Sequence, residues 1–277
     1  LRESSLLSNA TLKEENMGHS VKQIAESTAL IFGGTAGIGF ASAKALLEAG
    51  LPKLVIVGRS KERGDAAAAS LQRITLQAQV TFIPCDATQP AMVASVVDRA
   101  TSLMGAIDIL VSSAGGDPMP RLLHTIPLDE VMPTLVQISS GIILPARAVL
   151  PQMTRQSGGA VICLASDAAK TATPGETVIG AAMSAITMFC RGMAREAKRH
   201  GIRVNCLTPS IVGDTPLYQK LKADPFASRL FQKAEDMADL GIVTAADLAE
   251  AVVFLASPAA ARMTGQTISI TGGISAI

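Results

Sequence analysis

The stretch FGGTAGIGFASA, residues 32–43, decides how the rest of the chain is read. It continues a β-branched apolar run, TALIFGG (28–34), and opens a segment, 36–49, whose apolar residues recur with helical spacing. Glycines at 33, 37 and 39 permit a tight turn and a close approach to the main chain. A strand, a glycine turn and a helix in that order leave free amides at the helix's amino end, where a pyrophosphate is held. Helix–sheet packing alone would also use small residues here. The flanking strand and helix favour a dinucleotide site at Gly33, Gly37, Ile38 and Gly39.

Working outward, the same alternation runs the length of the chain. Six further strand candidates are KLVIVGR (53–59), QVTFIP (79–84), IDILVSS (107–113), AVICLAS (160–166), RVNCLTP (203–209) and QTISITGG (266–273). Helical patterns lie between them at 36–49, 61–77, 89–104, 128–156, 178–200 and 244–256. Near-continuous apolar strands joined by helices predict an α/β protein: a single doubly wound Rossmann-type domain with about seven parallel strands. No internal repeat or linker is visible. The domain is expected over 21–277, with 1–20 as a flexible amino-terminal tail.

Composition narrows the classes. The chain has 277 residues, 48% hydrophobic and 17% charged, with a net charge of +1, so nothing electrostatic points to nucleic acid or an anionic membrane. No apolar run approaches the roughly 20 residues that cross a bilayer, and the first twenty residues lack a signal-type hydrophobic region. These features lead us to expect a cytoplasmic protein without membrane partners. Cys85, Cys163, Cys190 and Cys206 form no C-x-x-C pair and read as small core hydrophobes rather than redox or zinc ligands. Three widely spaced histidines give no metal spacing.

At the end of the second strand, where an acidic residue would bind the 2′-hydroxyl of NAD, the sequence has Gly58-Arg59-Ser60. Arg59 could pair with a 2′-phosphate, which favours NADP, or be a solvated strand end. Asp86 is placed to contact an adenine or to cap the next helix. Ala114 and Gly115, after the fourth strand, complete the expected cofactor set. Two irregular segments, 115–127 and 210–240, follow the fourth and sixth strands at the carboxyl ends where such sheets bind ligands, and 210–240 reads as a substrate-covering excursion.

The glycine motif, CDAT, ILVSSAGG, AVLPQM, GGAVICLASDAA, HGIRVNCLTP and TGQTISITGG occur in an order that resembles the short-chain dehydrogenase/reductase family. The resemblance runs from about residue 28 to the end. The LASDAA…GE version is most similar to members that oxidise hydroxyacyl-CoA thioesters of alicyclic or aromatic acids. It implies a catalytic serine, tyrosine, lysine and asparagine. Here the serine is Ser166. The tyrosine position is Ile179 and the lysine position is Met183, both in TPGETVIGAAMSAITMF (173–189); the asparagine position is Ile138. Ser112-Ser113 stands where the family has two asparagines, Phe32 begins the glycine motif in place of threonine, and Thr215 is a loose equivalent of the cofactor threonine.

Isoleucine and methionine neither donate nor accept a proton, and a positioned acid contributes about 10²–10⁴-fold. The expectation is therefore a protein without ordinary ketone or alcohol turnover, with NADP binding weak or absent. The resemblance further implies that helices 128–156 and 178–200 form an assembly interface. Together these point to a non-catalytic subunit beside a complete relative in a mixed tetramer acting on an acyl-CoA, as in a benzylsuccinate-type pathway. The alternative is a homo-oligomeric enzyme, NADP(H)-dependent or non-redox, whose acid is recruited from Asp167, Lys170, Glu176, Arg121 or His124. Against recruitment, SDAAK after a strand is also what an ordinary turn looks like.

Overall fold

The computed structural model describes residues 19–275; of the expected tail, only His19 and Ser20 fall within them. Strands β1 (Thr28–Phe32), β2 (Lys53–Gly58), β3 (Gln79–Pro84), β4 (Ile109–Ser112), β5 (Gly159–Leu164), β6 (Ile202–Pro209) and β7 (Thr267–Ile270) form one sheet. All pairings are parallel, in the order β3-β2-β1-β4-β5-β6-β7. The seven-stranded, doubly wound expectation holds. Strand order reverses between β1 and β4, where Phe32 lies between Val57 and Ser112, and a crevice opens beyond the carboxyl ends.

Helices α1 (Gly37–Glu48), α2 (Lys61–Gln72), α3 (Pro90–Met104), α4 (Leu128–Arg155), α5 (Thr177–Ala197) and α8 (Ala245–Ala256) cover the sheet, while α6 (Pro216–Ala223) and α7 (Pro225–Glu235) make up the excursion after β6. Central strands bury both faces, which is why they read as unbroken apolar runs. One core contains Val149, Ile186 and Val204, under α3, α4 and α5; the other contains Leu46, Ile56 and Val252, under α1, α2 and α8. All four cysteines are free and buried, and Cys163 faces Cys206 across neighbouring strands. The neighbouring Cys190 thiol, and burial after it, push the Cys206 thiol far up, as suits packing rather than reactivity.

Local chemistry explains two features of this frame. Pro145 inside α4 has no amide to give the carbonyl four residues back, that of Gly141. Ser112, at the end of β4, donates its hydroxyl there instead, 3.4 Å from Gly141 O and 3.2 Å from Ile142 O. A buried carbonyl left unpaired costs about 1–3 kcal/mol, so this serine fastens α4 to the floor of the crevice. Arg203, buried on β6, donates to the carbonyls of Leu255 (2.5 Å), Ala256 (3.1 Å) and Ala260 (3.0 Å), closing the end of α8.

One expectation from composition is corrected. Leu128–Arg155 and Thr177–His200 are long and apolar enough by mean hydropathy (1.3 each) to cross a bilayer. A search for an unbroken run passes over them because polar residues are interspersed. In the structure they pack side by side on one face of the sheet.

Candidate active site and nucleotide cleft

At the carboxyl end of the sheet a cavity of about 620 Å³ runs from the β1–α1 turn to the excursion helices. Its first wall is the glycine turn. Gly33 has φ +81°, and a side chain there would sit 2.7 Å from Ser113 Oγ. At Gly39 a Cβ would lie 2.3 Å from the Gly33 carbonyl. Ordinary residues cannot make this turn. The residue before α1 is Ala36, which supplies no side-chain cap. Gly37, Ile38 and Gly39 therefore present first-turn amides to the cavity with no side chain to satisfy them. These residues fit a dinucleotide pyrophosphate: the space, the free donors and the helix's positive end coincide.

The other expected cofactor residues arrive at the same end. Arg59, Asp86, Ala114 and Gly115 all line the cavity. Arg59 is joined by Arg63, which the sequence reading did not single out. Ser60 starts α2 by accepting the Arg63 amide at 3.3 Å, so the two arginines flank a helix start. Among the described residues neither guanidinium has an ion-pair partner. Asp86 does not cap α3, whose first flanking residue is Gln89. Its Oδ1 accepts from the Thr88 amide (3.0 Å) and hydroxyl (2.8 Å) in an Asx turn. Those hydrogen bonds and Arg59 hold its carboxyl below the ordinary value, leaving an ionised acceptor beside the cleft.

At the far end lie the expected catalytic positions. Ser166, Ile179 and Met183 line the cavity together. Ser166 Oγ accepts the Ala168 amide at 3.2 Å, starting a one-turn helix over Asp167–Ala169, and among the described residues it has no hydrogen bond to a base that would make it a nucleophile. Ile179 is buried and Met183 half-buried, so this wall of α5 is apolar where the proton relay is expected. Ile138, the expected asparagine position, stands apart from them. It is buried in the core, 2% exposed, and does not reach the cavity; its neighbour Gln137 does. Thr215 lines the cavity but spends its hydroxyl starting α6, donating to Val212 O (2.9 Å) and accepting the Tyr218 amide (3.2 Å).

The candidate replacement acids separate cleanly. Arg121 and His124 are exposed and outside the cavity, and Arg121 pairs with Glu130 of α4 at 2.6 Å. Asp167 and Glu176 line it. Asp167 is 5% exposed: its Oδ2 accepts the Ser275 hydroxyl, and Oδ1 has no hydrogen-bond partner, with Lys170 Nζ 3.8 Å away. Lys170 in turn donates to Ser269 on β7. Burial lifts the Glu176 carboxyl above its ordinary value, the Asp167 charge adds to this, and a hydrogen bond from Thr173 opposes it. Around these groups Leu217, Leu221, Leu230, Phe231 and Met237 from the excursion, with Ile274, give a greasy lining.

Comparison with known proteins agrees with this geometry. The family model described as Enoyl-(Acyl carrier protein) reductase matches residues 33–275. The 3-oxoacyl-[acyl-carrier-protein] reductase FabG of Chlamydia trachomatis serovar D is 30% identical over 252 residues, covering 91% of this chain and 98% of that protein. Human dehydrogenase/reductase SDR family member 4 is 31% identical over 251 residues, 90% of this chain and 88% of its own length. Among solved structures, a short chain oxidoreductase from Pseudomonas aeruginosa PAO1, bound to NADPH and described as containing an atypical catalytic center, superposes with a TM-score of 0.83. It is 28% identical and covers 91% of this chain and 98% of that one.

Proposed function

The chain belongs to the short-chain dehydrogenase/reductase family, and from that premise we propose that it binds NADP(H) and acts on an apolar carbonyl or alcohol without the family's tyrosine–lysine pair. The observation that carries this reading is the continuity of one cavity. Uncapped amides of α1 and two unpaired arginines lie at one end, with Ser166, Glu176 and an apolar lining at the other. When bound, the nicotinamide supplies or accepts a hydride. The chain's own residues do the rest: first-turn amides hold the pyrophosphate, Arg59 and Arg63 hold the 2′-phosphate, and Ser166 orients the substrate oxygen. Affinity is lower than in relatives with the lysine, because Met183 cannot hold the ribose. The likeness to a solved structure that holds NADPH and is described as containing an atypical catalytic center supports nucleotide binding here. The setting is the cytoplasm, in keeping with four unpaired thiols.

The test is a fluorescence titration, clean because the chain has no tryptophan. NADPH is expected to bind, and more tightly than NADH. Micromolar NADH affinity without preference for the phosphate would overturn the cofactor assignment.

A second reading, a non-catalytic subunit in a mixed tetramer with a complete relative acting on an acyl-CoA, has its own observation. Leu128, Met132 and Val136 recur four apart on α4 and are 90%, 61% and 53% exposed; Met188 of α5 is 63% exposed. Four large apolar side chains on two adjacent helices call for cover. Purification from native cells separates the readings. A Tyr- and Lys-containing dehydrogenase recovered in equal amount supports the subunit; a homo-oligomer that turns over NADPH alone excludes it.

A further inference from the structure

Helix α5 enters the cavity as a stripe. Glu176 immediately precedes it, Ile179 lies three residues on and Met183 seven, so all three share one helix face, and all three line the cavity. Glu176 is thus the next position toward the amino end on the face from which the family's acid would project. Its surroundings suit a neutral carboxyl group. The helix starts without a side-chain cap, so Glu176 spends its acidity on no amide of the first turn. Gly175, just before it, is fixed from outside: its carbonyl accepts the Arg121 amide at 2.8 Å, which ties the loop after β4 to this corner.

We propose that Glu176 is the proton donor of this site, delivering its carboxyl proton to the carbonyl oxygen of an apolar ketone or aldehyde held against Ile179 and Met183. The proposal rests on the NADP(H) reading above. In the step, hydride from the reduced nicotinamide forms the new C–H bond, and the carbonyl π bond breaks toward oxygen. That oxygen takes the Glu176 proton to become hydroxyl. The nicotinamide is left oxidised and Glu176 ionised, to be reprotonated from water at the cavity mouth. Reversed, the glutamate takes the proton of an alcohol.

Two carboxyl groups in one cavity with unequal surroundings are the arrangement that separates an acid from a permanent anion. Asp167 has Ser275 on Oδ2 and Lys170 at 3.8 Å from Oδ1. Glu176 has burial, the Asp167 charge and only the Thr173 hydroxyl against them, which keeps its proton on to higher pH than an ordinary glutamate. Beyond that pair the charged groups lining the cavity are Arg59, Arg63 and Asp86 at the nucleotide end, and Asp117, Lys220 and Lys233 at the substrate end. Asp117 and Lys220 pair with each other.

The experiment compares the full-length wild type with Glu176→Gln and Glu176→Asp in three measurements. NADPH titration, expected equal in all three, tests the underlying reading by itself. Thermal midpoint against pH reports the proton. A raised carboxyl makes the folded protein bind the proton that the unfolded chain releases. Its stabilising contribution is therefore full below the ordinary glutamate value and lost as pH rises through the raised one. That slope should vanish in Glu176→Gln. NADPH oxidation with a panel of apolar cyclic and aromatic ketones tests the donor. Wild-type turnover should fall as pH rises through the same window, Glu176→Gln should lose about 10²–10⁴-fold, and Glu176→Asp should recover part of it. A Gln variant as active as wild type, or an unchanged pH limb, overturns the proposal. So does a protein that binds NADPH but reduces no member of the panel. Failure of NADPH to bind would overturn the reading beneath it instead.

Discussion

In a Glu176→Gln background, introducing Ile179→Tyr together with Met183→Lys should raise ketone-dependent NADPH oxidation by about 10²–10⁴-fold, the contribution of one positioned acid, or about 3–5 kcal/mol of barrier. The space exists. Ile179 and Met183 already line the cavity beside Ser166, and methionine and lysine are unbranched side chains of similar reach. The lysine has two tasks: to hold the nicotinamide ribose and to lower the tyrosine's pKa through its charge. Ile179→Tyr alone should therefore gain much less, since an unassisted phenol, with an ordinary value of about 10, is a weak proton donor at neutral pH. Met183→Lys alone should tighten NADPH with little gain in rate. Steady-state kinetics on the two single variants and the double variant show whether the gains exceed their sum, as they should for groups that work together. In the double variant, adding Glu176→Gln should matter far less than in the native background, because the tyrosine then supplies the proton. A double variant that folds and binds NADPH yet gains nothing would mean that the missing acid is not what limits this site.

How far the sequence carries such reasoning depends on what each residue answers to. The strands were legible because double-sided burial demands unbroken apolar runs; every candidate became a strand, its ends shifted by no more than three residues. Helix 61–77 stops early, at Gln72, for a reason no local pattern holds. The Gln72 amide folds back to donate to Thr75 O (3.2 Å) and Ala78 O (2.8 Å), and its Oε1 accepts the Val80 amide (3.2 Å). The glycine cradle and the Ile179–Met183 wall were legible because their spacing along one turn or one helix face is fixed. That the Ile138 side chain turns into the core while Gln137 lines the cavity was not legible, because helix phase relative to the crevice depends on tertiary packing of α4. Arg121 and His124 were close to the site in sequence and outside it in space, Arg121 drawn to Glu130 on the surface. Glu176 was one acidic residue among several until the start of α5 placed it on the stripe with Ile179.

Replacing both Arg59 and Arg63 with alanine should invert the nucleotide preference. NADPH affinity should fall by about 10–100-fold or more, because charge-assisted hydrogen bonds contribute about 1.5–3 kcal/mol each and 1.4 kcal/mol is tenfold. NADH affinity should change little, because its ribose hydroxyl carries no charge for them to meet. The prediction follows from the site as it stands. No carboxylate follows β2 at 59 or 60 to receive a ribose hydroxyl, and the two guanidiniums are exposed and free of ion pairs among the described residues. Arg59 does more than wait for a ligand: with the Thr88 hydrogen bonds it helps hold Asp86 ionised at the adenine end. Arg59→Ala alone should thus weaken both nucleotides slightly and NADPH strongly, whereas Arg63→Ala should act on NADPH only. Salt separates this from a packing effect. Both arginines are solvent-facing, so the wild-type preference for NADPH should shrink as ionic strength rises and the Debye length drops from about 10 Å at 0.1 M, while the double variant should show no such dependence. Equal salt sensitivity in wild type and variant would place the phosphate elsewhere in the cleft, with Lys220 and Lys233 the remaining cations that line it.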